Sequence, residues 1–153
     1  MTTRRKFLTT AGVGGAAALA APTIARAQEP IRWRFQTYAG AALGEHVTKP
    51  IIDYINAASN GEMEIELFYA DQIVPTGELF QALQRGTIDA VHSDDDSMAS
   101  PTPLRQFGGY FPFATKHILD VPVLFNQYGL ADIWREEYAK VGVQWLSAAG
   151  QDP

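Results

Sequence analysis

Four stretches of the chain carry side-chain patterns typical of β-strands. Ile31 to Thr37 alternates apolar and polar residues, and Glu62 to Tyr69 does the same, with its glutamates on a solvated face. Thr87 to Val91 contains β-branched and small residues, a composition that predicts a strand covered on both faces. Val143 to Ala148 predicts a fourth strand.

Helical periodicity occupies the segments between the first three strands. Leu43 to Ala58 predicts a helix that kinks or splits at Pro50. Its inward stripe is predicted to comprise Val47, Ile51, Ile52, Ile55 and Ala58. Thr76 to Arg85 predicts a second helix, which Thr76 caps and Gly86 ends in a left-handed conformation.

The later part of the chain is richer in proline, glycine and aromatic residues. It predicts a short helix around Pro103 to Phe107 and a helix in two pieces around Pro122, between Lys116 and Gln127. Leu130 to Val141 is the clearest amphipathic helix. Its predicted inward residues are Ile133, Trp134, Tyr138 and Val141.

The order strand, helix, strand, helix, strand predicts an α/β fold with a mostly parallel βαβαβ sheet and flanking helices. The 153 residues suffice for one ordinary domain. Ligands of open α/β sheets bind beyond the carboxyl ends of the strands, so that edge is the predicted binding site.

Polar residues follow the strands at this edge and are the candidate substrate-binding residues. They are Gln36, Thr37 and Tyr38 after the first strand, Ser93, Asp94 and Asp95 after the third, and Gln151 after the fourth. Tyr110, on an aromatic loop, is predicted to form an apolar wall of the same site.

The run Asp94-Asp95-Asp96 has three interpretations. The carboxylates can cap the following turn and helix. They can hold a cation that bridges protein and substrate, with the Gln151 amide sharing its shell. They can also contact a polyhydroxylated or cationic ligand directly. His92 is interpreted as a packed strand histidine, with a place lining the strand tip as the alternative, and we predict no catalytic residue and no resident cofactor.

The N-terminus is predicted to be an export signal rather than part of the fold. Arg4 and Arg5 precede Phe-Leu and an Ala/Gly-rich apolar run, and Ala25-Arg26-Ala27 supplies small residues for cleavage. The twin arginine predicts the Tat export machinery as a partner and residues 1–27 as the signal peptide. The alternative, a membrane anchor, fits poorly because the run is short and glycine-rich.

Charge and composition exclude further classes of protein. The formal charge is -5, and removal of the four basic residues of the signal makes it -9, so nucleic acid is not a predicted partner. The chain has no cysteine, which excludes disulfides, thiol catalysis and lipid anchoring through cysteine.

Several motifs, in order, resemble the DctP-type solute-binding proteins of TRAP (tripartite ATP-independent periplasmic) transporters, nearest those that bind 2-oxo acids. They are the Arg-Arg-Lys-Phe-Leu signal, Trp33-Arg34-Phe35, Val74-Pro75-Thr76-Gly77, Leu83 to Asp89, Phe111-Pro112-Phe113 and Val143-Gln144-Trp145. Together they span nearly all of residues 4–153.

This resemblance implies a periplasmic binding protein-like fold of type II, in which residues 28–153 are the N-terminal lobe and the second lobe is missing. It implies a periplasmic protein that captures a small organic acid, a 2-oxo or hydroxy carboxylate, for membrane permease subunits driven by an ion gradient. The family's usual carboxylate-binding arginine would lie after Pro153.

Two other functions stay open at this point. A small exported hydrolase could use the aspartate run to hold Mg²⁺ or Ca²⁺, although no nucleophile or base accompanies it. A truncated, non-functional product is the other alternative, since a lone lobe exposes the face that its partner would cover.

Overall fold

The computed structural model describes residues 29–107, 117 and 119–148. Three parallel strands form its sheet in the order β2-β1-β3. They are β1 (Ile31–Thr37), β2 (Met63–Phe68) and β3 (Ala90–His92). The predicted α/β fold with a parallel sheet is therefore confirmed, and β1 has the predicted bounds.

The first helical segment is continuous but changes its winding before Pro50. It comprises α1 (Ala41–Leu43), a π-helical turn (Gly44–Thr48) and α2 (Lys49–Ala58). Pro50 has no N–H to donate to a carbonyl of the preceding turn. The wider π-helical turn lies directly before the position where this hydrogen bond is missing. Asn60 and Gly61 then reverse the chain with φ values of 50° and 86°.

The stripe predicted for this helix is mostly wrong. Only Ile52 of its five residues is buried, whereas Val47, Ile51 and Ile55 are exposed. The residues that face the sheet are Gly44, Thr48, Ile52 and Asn56, three of which are small or polar. Apolar periodicity identifies a helix face that can be buried, but not the element that covers it.

The second crossover begins with a 3-10 turn (Thr76–Glu78) and continues as α3 (Leu79–Gln84). The prediction that Thr76 caps this segment is wrong, because Thr76 is the first residue of the 3-10 turn and the N-cap position is Pro75. Asp71 Oδ1 instead accepts hydrogen bonds from the Thr76 N–H, at 2.8 Å, and from its hydroxyl, at 3.1 Å. Gly86 ends the segment with φ 71°, as predicted.

Strand β3 is shorter than predicted and begins later. The Arg34 N–H donates to the Asp89 carboxylate at 2.8 Å, so a side chain takes the position of a ladder bond and β3 begins at Ala90. Thr87 and Asp89 are exposed while Ile88 and Ala90 are buried, so the prediction of burial on both faces is wrong here.

The remaining elements are a 3-10 helix (Pro103–Gln106), α4 (Asp120–Gln127) and α5 (Leu130–Lys140). Pro122 lies in the first turn of α4, where its missing N–H leaves no bond unmade, so in the described residues it does not divide the helix as predicted. On α5, Trp134 and Tyr138 are buried as predicted, but Ile133 is exposed.

Val143 to Ala148 does not form the predicted fourth strand. No described strand pairs with it, and the Val143 N–H instead donates to the Tyr138 carbonyl at 3.0 Å. Trp145 holds the segment against the helices, because its ring stacks on Phe125 with centroids 5.5 Å apart.

One hydrophobic core joins α3, the turn before β3, the loop after β3 and α5. Its buried members are Leu79, Phe80, Ala82, Ile88, Met98, Leu104, Trp134 and Tyr138. Leu79 and Ile88 are fully buried, and each such side chain stabilises the fold by about 1.5–3 kcal/mol. This core fixes the loop that follows β3, where three of the eight predicted site residues lie. No helix within the described ranges is long and apolar enough to cross a membrane.

Candidate functional site

The ends of β1 and β3 lie side by side and bring two of the predicted groups of residues together. Thr37 pairs with His92 in the parallel register, and the Tyr38 N–H donates to the His92 carbonyl at 2.9 Å. The Tyr38 ring meets the His92 ring edge-on, with centroids 5.5 Å apart. Tyr110 and Gln151 lie outside the described residues.

Gln36 is fully buried, and its amide pairs with a loop. Its Nε2 donates to the Val74 carbonyl at 2.8 Å, and its Oε1 accepts from the Val74 N–H at 3.2 Å. Both ends of the amide are therefore engaged, and the side chain ties the end of β1 to the segment that leads into the 3-10 turn.

Thr37 and His92 belong to a hydrogen-bonded group that also includes Thr48 of the π-helical turn. His92 Nδ1 lies 3.0 Å from the Thr37 hydroxyl oxygen and 3.3 Å from that of Thr48. The Thr37 hydroxyl also accepts from the Ala39 N–H at 3.1 Å. Burial lowers the pKa of His92 below its ordinary value, so the imidazole is neutral at neutral pH.

Ser93 differs from its neighbours because its hydroxyl is unpaired. Within the described part of the chain, its Oγ is the buried side-chain polar atom that has no hydrogen-bond partner. A buried hydroxyl without a partner costs free energy unless a ligand or water satisfies it. Its position directly after β3 places this hydroxyl at the predicted binding edge.

The three aspartates have separate roles. Asp94 turns the chain after β3, because its carboxylate accepts from the Asp96 N–H and from both the N–H and the hydroxyl of Ser97. Asp96 is exposed and pairs with Arg105 at 2.8 Å. For Asp94, the capping interpretation is therefore confirmed.

Asp95 instead binds two aromatic side chains of α5. Its Oδ2 accepts from Trp134 Nε1 at 3.1 Å, and its Oδ1 accepts from the Tyr138 hydroxyl. Burial, together with the bond to Asp95, raises the pKa of Tyr138 far above its ordinary range. This buried contact fixes the loop after β3 against α5. Within the described ranges, no group of three or more acidic, histidine or cysteine side chains could hold a metal ion.

Sequence reasoning missed three members of this site. It preferred packing to a place at the strand tip for His92, assigned Trp134 to packing, and did not consider Thr48. The spacing of Trp134 and Tyr138, four residues apart on one helix, was a usable signal that both rings reach the same neighbour. Nothing in the sequence places Thr48 beside His92, because the two are 44 residues apart.

Comparison with known proteins identifies the family. The model of bacterial extracellular solute-binding protein, family 7 (DctP), matches residues 39–152. The chain belongs to this family. The resemblance inferred from the sequence is thereby confirmed, and the family is one of transport solute-binding proteins rather than of enzymes.

A curated relative and a solved structure place the chain more closely. The monocarboxylate 2-oxoacid-binding periplasmic protein of Nostoc is 26% identical over 114 residues, 74% of this chain and 31% of the relative. A TRAP periplasmic solute-binding protein of Chromohalobacter salexigens, crystallised with (S)-(+)-2-amino-1-propanol, is 71% identical. Its TM-score is 0.72, over 74% of this chain and 36% of that one.

More distant structures share the fold alone. A TRAP solute-binding protein of Rhodobacter sphaeroides, in an open form without ligand, is 24% identical with a TM-score of 0.67, over 74% of this chain and 36% of that chain. One from Bordetella bronchiseptica, with copurified calcium and picolinate, is 19% identical with the same TM-score, over 74% of this chain and 34% of that chain.

The family confirms the predicted periplasmic location. The chain spans about a third of the length of these relatives.

Proposed function

We propose that the protein containing this chain is the capture component of a TRAP transporter. It binds a small organic solute at the carboxyl edge of the sheet and delivers it to membrane permease subunits. Residues 28–153 would form the N-terminal lobe of a two-lobed protein that closes on the solute. The match of residues 39–152 to family 7 carries the proposal, and the unpaired Ser93 hydroxyl supports the position of the site.

The proposed ligand is a small organic acid, a 2-oxo or hydroxy carboxylate. The name of the Nostoc relative supports this class. Ser93 can donate a hydrogen bond to a carboxylate or hydroxyl oxygen, and Ser93 and Tyr38 directly follow the paired residues His92 and Thr37. The cationic side chain that a carboxylate requires would have to come from outside the described residues of this edge.

A small amino alcohol is the second candidate, favoured by the ligand in the 71%-identical structure. The described edge suits it in charge, because it carries Asp94 and Asp95 while Arg105 is already paired with Asp96. An ammonium group is attracted to such an edge, whereas a carboxylate is repelled unless a cation intervenes.

A bridging cation is a further proposal for the acidic ligand. It would use Gln151 and oxygen ligands beyond the described residues, because the described oxygens of Asp94 and Asp95 already accept hydrogen bonds. Removal of divalent ions by EDTA should then weaken binding of an organic acid and leave binding of an amino alcohol unchanged.

Calorimetric titration of the protein expressed from its complete reading frame tests these proposals. The ligands are pyruvate, longer 2-oxo acids, lactate and (S)-2-amino-1-propanol, each with and without EDTA. We expect saturable heat from one class and not from the other. Flat titrations for both classes, on a sample shown to be folded, would contradict the proposed function for these ligands.

A variant locates the site. Ser93→Ala should weaken binding by about 5- to 30-fold, since one hydrogen bond to a ligand contributes about 1–2 kcal/mol. The matched control is Thr87→Ala, because Thr87 is exposed and precedes β3 at the opposite end of the sheet. Equal affinity of both variants and the unmodified protein would remove Ser93 from the site.

A further inference from the structure

His92 is the last residue of β3, and two buried threonines contact one nitrogen of its ring. Nδ1 lies 3.0 Å from the Thr37 hydroxyl oxygen and 3.3 Å from that of Thr48. The Thr37 oxygen also accepts from the Ala39 N–H. These contacts hold the imidazole at the carboxyl edge of the sheet, where the Tyr38 ring meets it edge-on.

The helical segment that carries Thr48 is held against the sheet on both sides of this residue. A Cβ added to Gly44 would lie 2.5 Å from the Tyr69 ring, so glycine permits a close approach there. The Asn56 amide pairs with both backbone groups of Ile65, at 2.7 and 3.0 Å. Thr48 lies between these two contacts, so the position of its hydroxyl relative to the sheet is fixed.

The threonine hydroxyls determine which nitrogen of the ring carries the proton. Thr37 and Thr48 are 0% and 4% exposed, and His92 Nδ1 is the one acceptor among the described residues that either hydroxyl contacts. If Nδ1 carried the proton, both hydroxyl protons would be buried without an acceptor, which costs free energy. Burial also keeps the ring neutral. A neutral imidazole that accepts at Nδ1 carries its proton at Nε2.

The Nε2–H group, on the far side of the ring, has no acceptor within the part of the chain that the structure describes. The contacts of the ring nitrogens there are those of Nδ1, and the residue is only partly buried. The buried side-chain polar atom that lacks a partner in those ranges is Ser93 Oγ, so Nε2 is accessible at the surface. The edge of the sheet therefore presents a donor whose tautomer and direction are fixed.

We propose that His92 donates its Nε2–H to an oxygen atom of the bound solute, and that Thr37 and Thr48 are positioning residues for this hydrogen bond. The inference rests on the proposed function, in which the solute binds at this edge. An organic acid would supply a carboxylate or oxo oxygen, and an amino alcohol would supply its hydroxyl oxygen. Because the imidazole is neutral, it recognises the oxygen atom of the solute rather than its charge.

Two variants separate this role from a role in packing. His92→Asn keeps an oxygen near the position of Nδ1, which can accept from the threonines, but has no donor near the position of Nε2. His92→Gln has an amide N–H near Nε2 and no acceptor near Nδ1. In calorimetric titrations of the protein expressed from its complete reading frame, with pyruvate and with (S)-2-amino-1-propanol, His92→Asn should bind about tenfold more weakly than the unmodified protein, and His92→Gln should stay within about threefold.

The other outcomes of the titrations are distinguishable. Stronger binding by His92→Asn than by His92→Gln would assign His92 to packing and overturn the proposal. Saturable binding that His92→Asn leaves intact would overturn the proposal and leave the transport function standing. Flat titrations of the unmodified protein with both probes would contradict the proposed function itself, and this inference with it.

Nitrogen NMR of the imidazole in the unmodified protein is a second measurement, which does not depend on the folding of a variant. Nε2 of His92 should be protonated and Nδ1 unprotonated, and the Nε2–H proton resonance should move downfield when the probe that binds is added to saturation. A proton at Nδ1, or an Nε2–H resonance that saturation leaves in place, would overturn the proposal.

Discussion

At the scale of single residues, the buried Asp95 carboxylate joins the loop after β3 to α5. It satisfies the indole N–H of Trp134 and the hydroxyl of Tyr138, both of which are in the core. The loop after β3 is held in place through these two bonds, and the candidate site depends on that loop.

Asp95→Ala is expected to lower the free energy of unfolding by about 1–3 kcal/mol, because two buried donors lose their acceptor. Urea denaturation measures the change. Asp96→Ala is the matched control, since its exposed ion pair with Arg105 contributes only about 0–1 kcal/mol. If the two variants are equally stable, the contact of Asp95 with α5 does not stabilise the fold.

His92 predicts a dependence of stability on pH. Because burial lowers its pKa in the folded state, the unfolded chain binds the proton more readily. Its contribution to stability is complete above about pH 6.5, the ordinary pKa of histidine, and is lost as the pH falls below that value towards the lowered pKa. His92→Gln should flatten this part of the curve of unfolding free energy against pH.

The control for this measurement is His46→Gln, because His46 is exposed on the π-helical turn. For that variant, the unfolding free energy should change with pH as steeply as in the unmodified protein between about pH 5 and 7, the range around the ordinary histidine pKa. A slope that survives in His92→Gln would assign the dependence to other groups.

At the scale of elements, the chain leaves α3 through a residue with a positive φ, two positions after the helix ends. Gly86 has φ 71°, and an L side chain is strained in that region. Gly86→Ala should therefore lower the free energy of unfolding by about 1–2 kcal/mol. Gly77→Ala should change it by less than about 1 kcal/mol in either direction, since a Cβ there meets no atom and Gly77 has no positive φ. Equal losses in urea denaturation would show that φ at Gly86 is not the cause.

Local patterns were sufficient for the elements whose partners are close in sequence. The alternation of β1 and the glycine at position 86 were predicted correctly, because a strand face and a helix end are encoded within a few residues. The third strand was misplaced, because the Arg34 N–H takes a side-chain acceptor from a residue 55 positions away. Val143 to Ala148 alternates like a strand, but pairing needs a neighbour that the sequence pattern cannot supply.

The candidate site was predictable in position but not in the roles of its residues. Strand order placed Tyr38 and Ser93 at one edge, and in the structure they directly follow the paired residues Thr37 and His92. Three adjacent aspartates look equivalent in sequence, yet one turns the chain, one binds α5 and one pairs with an arginine. Those roles depend on Trp134, Tyr138 and Arg105, whose positions are set by tertiary packing.

At the scale of the whole molecule, the periplasmic family requires export, and the twin arginine at the N-terminus remains a prediction. Arg4→Lys together with Arg5→Lys keeps the charge of the signal but removes the pair that the Tat machinery recognises. The precursor should then accumulate in the cytoplasm, as measured by cell fractionation and immunoblotting. Thr2→Ala with Thr3→Ala is the control, and equal periplasmic yield of both double variants would contradict Tat export.

The pairing of Asn56 with Ile65 has a consequence for the sheet as a whole. Among the described strands, β2 is at the outside of the order β2-β1-β3, so its outer N–H and C=O groups are those that another chain could use to extend this sheet. A single primary amide takes both groups of Ile65 in the middle of that edge. A strand added to this edge of the described sheet would have to displace a side chain that belongs to the protein's own helix, which makes the middle of β2 a poor template for strands of neighbouring molecules.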